Sequence, residues 1–174
     1  MPRYTPPTCV LAVDVVIFRA APTEAGRARL EVLLVRRLNA PYAGYWAIPG
    51  GFVEADEEPR AAAARELAEE TGVRGAQLVE SGVYAAPGRD PRGRVVSLAF
   101  WAYLPAGAQI GAGGDVERAT WFPADAPPLP LAFDHAQILA DAVAGLRRRL
   151  RRGLRALAAF PDHLTLSQLR ELEH

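Results

Sequence analysis

Apolar residues fall along this chain in short blocks separated by turn-forming residues. Val10 to Phe18 is rich in β-branched side chains and predicts a strand. Leu30 to Arg36 predicts a second, after the turn-rich Ala21 to Gly26. Asn39 to Gly44 reads as a loop, followed by a short segment Tyr45 to Ile48 and the breaker Pro49-Gly50-Gly51. The pattern then becomes helical. Asp56 is a good N-cap, Pro59 suits a first turn, Ala61 to Ala64 is a strong helix-forming run, and Gly72 is a natural stop. Further strands are predicted at Gln77 to Tyr84, Val95 to Leu104 and Ala119 to Phe122, with Arg89 to Arg94 as a loop between the first two. Ala124 to Pro130 is a proline-rich connector. Beyond it, Ile138, Leu139, Val143, Leu146, Leu150, Leu154 and Leu157 recur at helical spacing until Pro161. Thr165 and Gln168 then have the spacing of a capping box. Helices and strands mixed in this way predict an α/β sandwich with a mixed sheet.

Composition narrows the chemistry. Half of the 174 residues are hydrophobic, enough for one compact domain with a real core and a small appendage. The 20 basic and 20 acidic residues cancel, so no overall field argues for nucleic acid or membrane. Every basic side chain is an arginine. That removes lysine Schiff bases and a Walker-type lysine. The single cysteine, Cys9, excludes an internal disulfide, and with no signal pattern at Met1 to Thr8 the expected location is cytoplasmic. The apolar run around Val10 to Phe18 is interrupted by Asp14 and is too short to span a bilayer. Leu172-Glu173-His174 has the look of a tag remnant and is set aside.

The informative stretch is Gly51 to Val73. Glu66, Glu69 and Glu70 stand at i, i+3 and i+4, so a helix places all three on one side. A glutamate-rich face can simply be solvated. Yet three like charges repel, and a divalent cation held by oxygen ligands is a natural counter-charge. Pro49-Gly50-Gly51 turns sharply just upstream and can offer backbone carbonyls. Asp56, Glu57 and Glu58 fall at the helix start, where the dipole favours negative charge. Arg65, one position before Glu66, is expected to point elsewhere, pair with Glu57 or Glu58, and hold the preceding loop.

Gly51, Glu57 and the run Arg65-Glu66-Leu67-Ala68-Glu69-Glu70-Thr71-Gly72-Val73 resemble a complete Nudix box, with no departure from its pattern. Trp46 to Gly51 is similar to the usual approach to that box, and Trp121-Phe122-Pro123 to the family's closing strand. The resemblance implies a Nudix α/β/α sandwich with a mixed sheet over residues 1–130, a helical C-terminal extension over 131–171, and the tag remnant at 172–174. It implies Mg²⁺ or Mn²⁺ bound by Glu66, Glu69 and Glu70 with the Gly50 carbonyl, Gly51 making the tight turn, and Arg65 with Glu57 as a supporting ion pair. The implied reaction is hydrolysis of the pyrophosphate bond of a nucleoside-diphosphate derivative. The general base stays open between a box glutamate and an acid on another loop, where Asp115 and Glu117 are candidates.

Arg89-Asp90-Pro91-Arg92-Gly93-Arg94 puts three arginines beside a predicted strand, suited to clamping phosphate. A charged hairpin loop is the plainer reading. The segment resembles one in the ADP-ribose pyrophosphatase branch of the Nudix family, and one in Nudix-related transcriptional regulators of NAD metabolism that sense ADP-ribose. That resemblance implies ADP-ribose as ligand, with Arg89, Arg92 and Arg94 on phosphate or ribose. Trp46 and Tyr84 are candidates to stack on the base, and Arg36 or Arg37 to reach phosphate. Leu131 to His135, and Phe160 to Leu169, resemble the region that joins the Nudix domain of those regulators to a winged-helix domain. Two functions therefore stay open: an ADP-ribose pyrophosphatase yielding AMP and ribose 5-phosphate, and the ADP-ribose-sensing domain of a regulator, cut before its DNA-binding part. The resemblance implies a homodimer, no membrane partner, and DNA only if the native chain carries a further domain. The arginines from Arg147 to Arg155 surround a leucine stripe and read first as the solvated face of a packed helix. His135 and His163 show no metal-ligand spacing.

Overall fold

The computed structural model describes residues 8–24 and 27–151. Its first long strand, β1, spans Val10–Pro22. β2 spans Ala28–Arg37, and two very short strands follow, β3 at Trp46–Ala47 and β4 at Gly50–Phe52. Helix α1 spans Pro59–Thr71. β5 covers Val79–Tyr84, β6 Val95–Tyr103 and β7 Val116–Pro123, before the long helix α2 at His135–Arg151.

The strands form one mixed sheet. Its main path runs β3-β2-β1-β6-β5, with β4 also paired to β1 and β7 to β2. β1 and β6 are parallel, from Val10 opposite Val95 to Phe18 opposite Tyr103. The remaining pairs are antiparallel. Because β1 lies between neighbours and under a helix on each face, its side chains are buried on both sides, which is why it reads as a continuous apolar run rather than an alternating one. Val13, Val15 and Ile17 pack with Ala62, Ala63 and Leu67 of α1. Val16, Phe18 and Ala20 pack with Ile138, Leu139, Ala142 and Leu146 of α2. The result is an α/β/α sandwich.

Several boundaries differ from the sequence reading. The cap of α1 is Glu58, not Asp56. Glu58 is extended (φ −73°, ψ 142°) and makes no side-chain cap bond. Pro59 at the first turn has no N–H to satisfy, so a capping side chain has less to do there. Gly72 ends the helix as expected, in the left-handed conformation at φ 74°. Ala21 and Pro22 stay in the ladder opposite Arg29 and Ala28, so the turn after β1 is shorter than Ala21 to Gly26. Gly50 and Gly51 are strand residues of β4 as well as a turn, because β1 is free to pair there. β7 begins three residues earlier than Ala119, at Val116. α2 crosses the sheet as one layer of the main core, so the early part of the 131–171 extension shares the core of 1–130. Leu154, Leu157, Pro161 and the Thr165–Gln168 pattern lie outside the described residues. No helix among the described residues is long and apolar enough to cross a membrane.

Candidate active site

One end of the sheet opens into a cavity of about 580 Å³, lined from β1, β2, β4, α1, the loops before β6 and β7, and the start of α2. That is a size suited to a small organic ligand. Its walls have different chemistry.

The first wall is acidic and belongs to α1. Glu66, Glu69 and Glu70 all line the cavity. Glu66 presses on the β4 backbone so closely that a Cβ at Gly51 would lie 2.2 Å from Glu66 Oε1. Any larger residue there would push that carboxylate from its present place. The Gly50 N–H donates to Glu70 Oε2 at 3.0 Å. A Cβ at Gly50 would lie 2.2 Å from the Val13 carbonyl oxygen, so the strand pairing that brings this N–H into place also needs glycine. Gly111 N–H and Gly113 N–H bond the carbonyls of Thr71 and Glu70 at the C-terminal end of α1. This holds the loop before β7 against the helix and brings Asp115 to the cavity. Glu117, the other candidate base, is half exposed, lies 3.6 Å from Arg36, and is not among the cavity-lining residues.

Arg65 pairs with Glu57 through two 2.9 Å bonds, and also reaches the Phe52 carbonyl at 3.1 Å, so it does hold the preceding loop. It does not point away from Glu66, however. Its Nη1 donates to Glu66 at 2.8 Å and to Glu69 at 3.4 Å, because a long side chain can fold back across its own helix surface. Bonding to Glu57 and Glu66, against a smaller loss from burial, holds its pKa above the usual arginine value. The Arg65 bond in turn lowers the Glu57 pKa.

The second wall carries arginine and aromatic side chains. Arg92 lies over the rings of Phe52 (4.7 Å) and Phe133 (5.6 Å), and Arg37 over Phe133 at 5.0 Å. All four residues line the cavity. Burial, with Arg92 as a like charge nearby, lowers the Arg37 pKa. Arg92 is steadied by Asp90, at 2.7 Å. Phe133 has φ 52°, an uncommon backbone state for a bulky residue, and its ring meets Tyr42 edge-on at 4.7 Å.

Arg89 lines the cavity too, but its guanidinium is almost fully buried and held bidentately by Asp134 at 2.6 and 2.8 Å. Four further candidates for ligand contact lie away from the cavity lining. Arg94 donates to the Ala85 carbonyl. Arg36 bonds the Gly44 carbonyl from an exposed position. Trp46, partly buried, packs on Phe122 against the core. Tyr84, the other stacking candidate, donates to Asp141 on α2.

The floor is a polar network that sequence reasoning missed. Asp14 accepts from Ser97 Oγ at 2.5 Å, from His135 Nε2 at 3.2 Å and from Arg89 at 3.4 Å. Burial would raise the Asp14 pKa, but these three partners more than offset it and hold the group below the usual carboxylate value. His135 Nδ1 accepts the Ile48 N–H at 2.9 Å. The one trace in the sequence was Asp14 itself, a charge inside an apolar strand.

Among the described residues no three Asp, Glu, His or Cys side chains form a ready-made ligand set. Arg65 supplies the counter-charge to Glu66 and Glu69 instead. The wall nevertheless fits a cation. Burial pushes the Glu70 pKa up to about 8, and burial also raises that of Glu66 in spite of its Arg65 partner, so the acidic wall has room for more positive charge, above all at Glu70. An all-oxygen donor set also suits a hard divalent ion.

This is the architecture of a sheet-borne acidic helix facing a basic pocket wall. The family pattern described as NUDIX domain matches residues 10–142, and the chain belongs to that family. Members of the family generally use divalent metals. The chain is 44% identical over 112 residues to an ADP-ribose pyrophosphatase of Methanocaldococcus jannaschii, a match that covers 64% of this chain and 64% of that protein. It is 32% identical over 169 residues to the ADPR responsive transcriptional repressor NtrR of Acinetobacter baylyi, covering 95% of this chain and 66% of the repressor. The chain thus spans about two thirds of the length of these curated relatives. Among solved structures, the NUDIX domain of Shewanella oneidensis NrtR complexed with ADP ribose aligns with a TM-score of 0.71 at 33% identity, over 82% of this chain and 94% of that one.

Proposed function

We propose that this chain hydrolyses the pyrophosphate bond of ADP-ribose, with water, to AMP and ribose 5-phosphate. The observation that carries the reading is the pairing of walls across one cavity: Glu66, Glu69 and Glu70 on α1, with Arg37 and Arg92 beyond them. A diphosphate repels an incoming nucleophile, so it needs positive charge on its oxygens and an activated water. Arg37 and Arg92 supply the first, and the aromatic rings under them fix their direction. Arg89 acts from further back, by bracing the cavity wall through Asp134.

Glu66, Glu69 and Glu70, with the Gly50 carbonyl, would hold Mg²⁺ or Mn²⁺. Such an ion lowers the pKa of water and offsets phosphate charge. Arg65 and Glu57 keep the box loop on the helix so that the carboxylates stay together. The general base stays open between a box glutamate and Asp115, and Asp115 is favoured over Glu117 because it lines the cavity. ADP-ribose is favoured as substrate by the 44% identity to a pyrophosphatase of that substrate and by the alignment to a domain complexed with it.

The match over 95% of the chain to an ADPR responsive repressor supports a second reading, a domain that binds ADP-ribose as a signal. One experiment separates the two. ADP-ribose, NADH, nucleoside triphosphates and sugar nucleotides are incubated with the protein and Mg²⁺, while binding is followed by calorimetry. Release of AMP from ADP-ribose ahead of the others is the expected outcome. Tight ADP-ribose binding without turnover would move the function to sensing.

A further inference from the structure

The network under the cavity joins two segments that lie far apart in the chain. Arg89, from the arginine-rich loop, is clasped by Asp134, and the next residue, His135, starts α2. Both reach Asp14 on β1. His135 then extends to a third place, the buried backbone N–H of Ile48. Because that N–H donates to Nδ1, the ring proton sits on Nε2, where it donates to Asp14. The imidazole is thus a two-ended link, with an acceptor toward Ile48 and a donor toward Asp14.

Ile48 opens the turn into β4. The rest of that turn is tied to β1: Pro49 accepts from Val15 N–H at 2.8 Å, and Gly50 and Gly51 stand opposite Asp14 and Val13. The same turn carries the Gly50 N–H that holds Glu70 and the glycine against which Glu66 packs. On the α2 side, the side chain that grips this turn is His135. We infer that His135 is a positioning residue: through Ile48 it sets the Ile48–Gly51 turn, and so the placement of Glu66 and Glu70 for a divalent cation. This rests on the metal-binding reading proposed above.

The test uses two amide substitutions in the full chain. An asparagine oxygen can stand near the place of Nδ1 and keep the Ile48 bond. A glutamine amide nitrogen stands near the place of Nε2 and keeps only the Asp14 bond. A residue needed merely to fill space would not separate the two. Mn²⁺ binding is titrated by electron paramagnetic resonance, and exchange of the Ile48 and Gly50 amides is followed by NMR without metal. In His135→Gln we expect both amides to exchange faster and Mn²⁺ to bind ~10-fold more weakly, the usual scale for losing an outer-shell partner. In His135→Asn both properties should stay within ~3-fold of wild type. Should the glutamine variant not fold, the asparagine variant decides alone: weak Mn²⁺ binding with the Ile48 amide still protected overturns the role. Faster exchange in His135→Gln with unchanged Mn²⁺ affinity also overturns it, and leaves the metal reading standing. Absence of Mn²⁺ binding that depends on Glu70 in the wild-type protein overturns the metal reading, and the positioning role with it.

Discussion

The two helices that cover the sheet do different work. α1 presents small residues to the sheet, Ala62 and Ala63 with Leu67, so it lies close and brings its glutamates to the cavity edge. α2 presents Ile138, Leu139, Ala142, Leu146 and Leu150, and covers the larger part of the core. Its chemistry is confined to its start, where Asp134 and His135 join the cavity floor. A helix can thus build the fold along its length and serve the site at one end. α1 combines both tasks on adjacent faces, and its buried Glu70 is the consequence. That residue is 8% exposed, a poor place for an ionised carboxylate unless a proton or a cation neutralises it.

Four predictions would break or sharpen this contrast. Leu146→Ala on α2 should remove about 2–5 kcal/mol of stability, as for other fully buried leucines, while kcat of the folded protein stays near wild type. A large kcat loss in that variant would mean α2 couples to the site along its whole length. On α1 the opposite is expected. Glu70→Gln should lower ADP-ribose turnover at least ~100-fold, from loss of a metal ligand and its alignment, with no fall in melting temperature. A melting temperature several degrees below wild type would make Glu70 structural.

Arg92→Ala should raise KM for ADP-ribose ~10-fold with less effect on kcat, since it removes a charge-assisted contact worth about 1.5–3 kcal/mol at most. The same change at Arg36, exposed and outside the cavity lining, should alter KM less than ~2-fold. Equal effects would discard the arginine–aromatic wall as the ligand contact. The smallest effect concerns pH. Glu70 has its pKa raised from 4.5 to about 8. For an acid shifted upward on folding, the stabilising contribution is complete below the unfolded value and is lost as pH rises toward the folded one. Metal-stripped protein should therefore melt lower at pH 8.5 than at pH 5.5, through this group, and Mg²⁺ or Glu70→Gln should flatten that slope. An equal slope in the glutamine variant would assign it to another residue.

Much of α1 was legible from spacing alone. The i, i+3, i+4 glutamates, the first-turn Pro59 and the Gly72 stop are local matters, set within a few residues by helix geometry. Spacing left Arg65 to pair with Glu57 or Glu58, and only the resemblance to the Nudix box singled out Glu57, which Arg65 does bond. The ligand wall was legible only in part. Arg92 lines the cavity, yet Arg94 and Arg36 turn away from it and Trp46 packs against the core, because neighbours on other strands decide which way each side chain faces. The cavity floor left only the trace of Asp14 within an apolar strand, and none of its pairings was legible. Asp14 meets Ser97 across 83 positions, Ile48 meets His135 across 87, and Arg89 meets Asp134 across 45.

The amino-acid sequence by itself determined the acidic helix, its glycine turns and the apolar strands, since each follows from short-range sterics and periodicity. Only the tertiary structure decided which charges would face one another. A parallel β1–β6 pair and a helix returning over the sheet bring Asp14, Ser97 and His135 into one buried cluster, and burial is what raises the Glu70 pKa. Those effects depend on distance in space and on exclusion of water, and neither is a property of neighbouring residues in the chain.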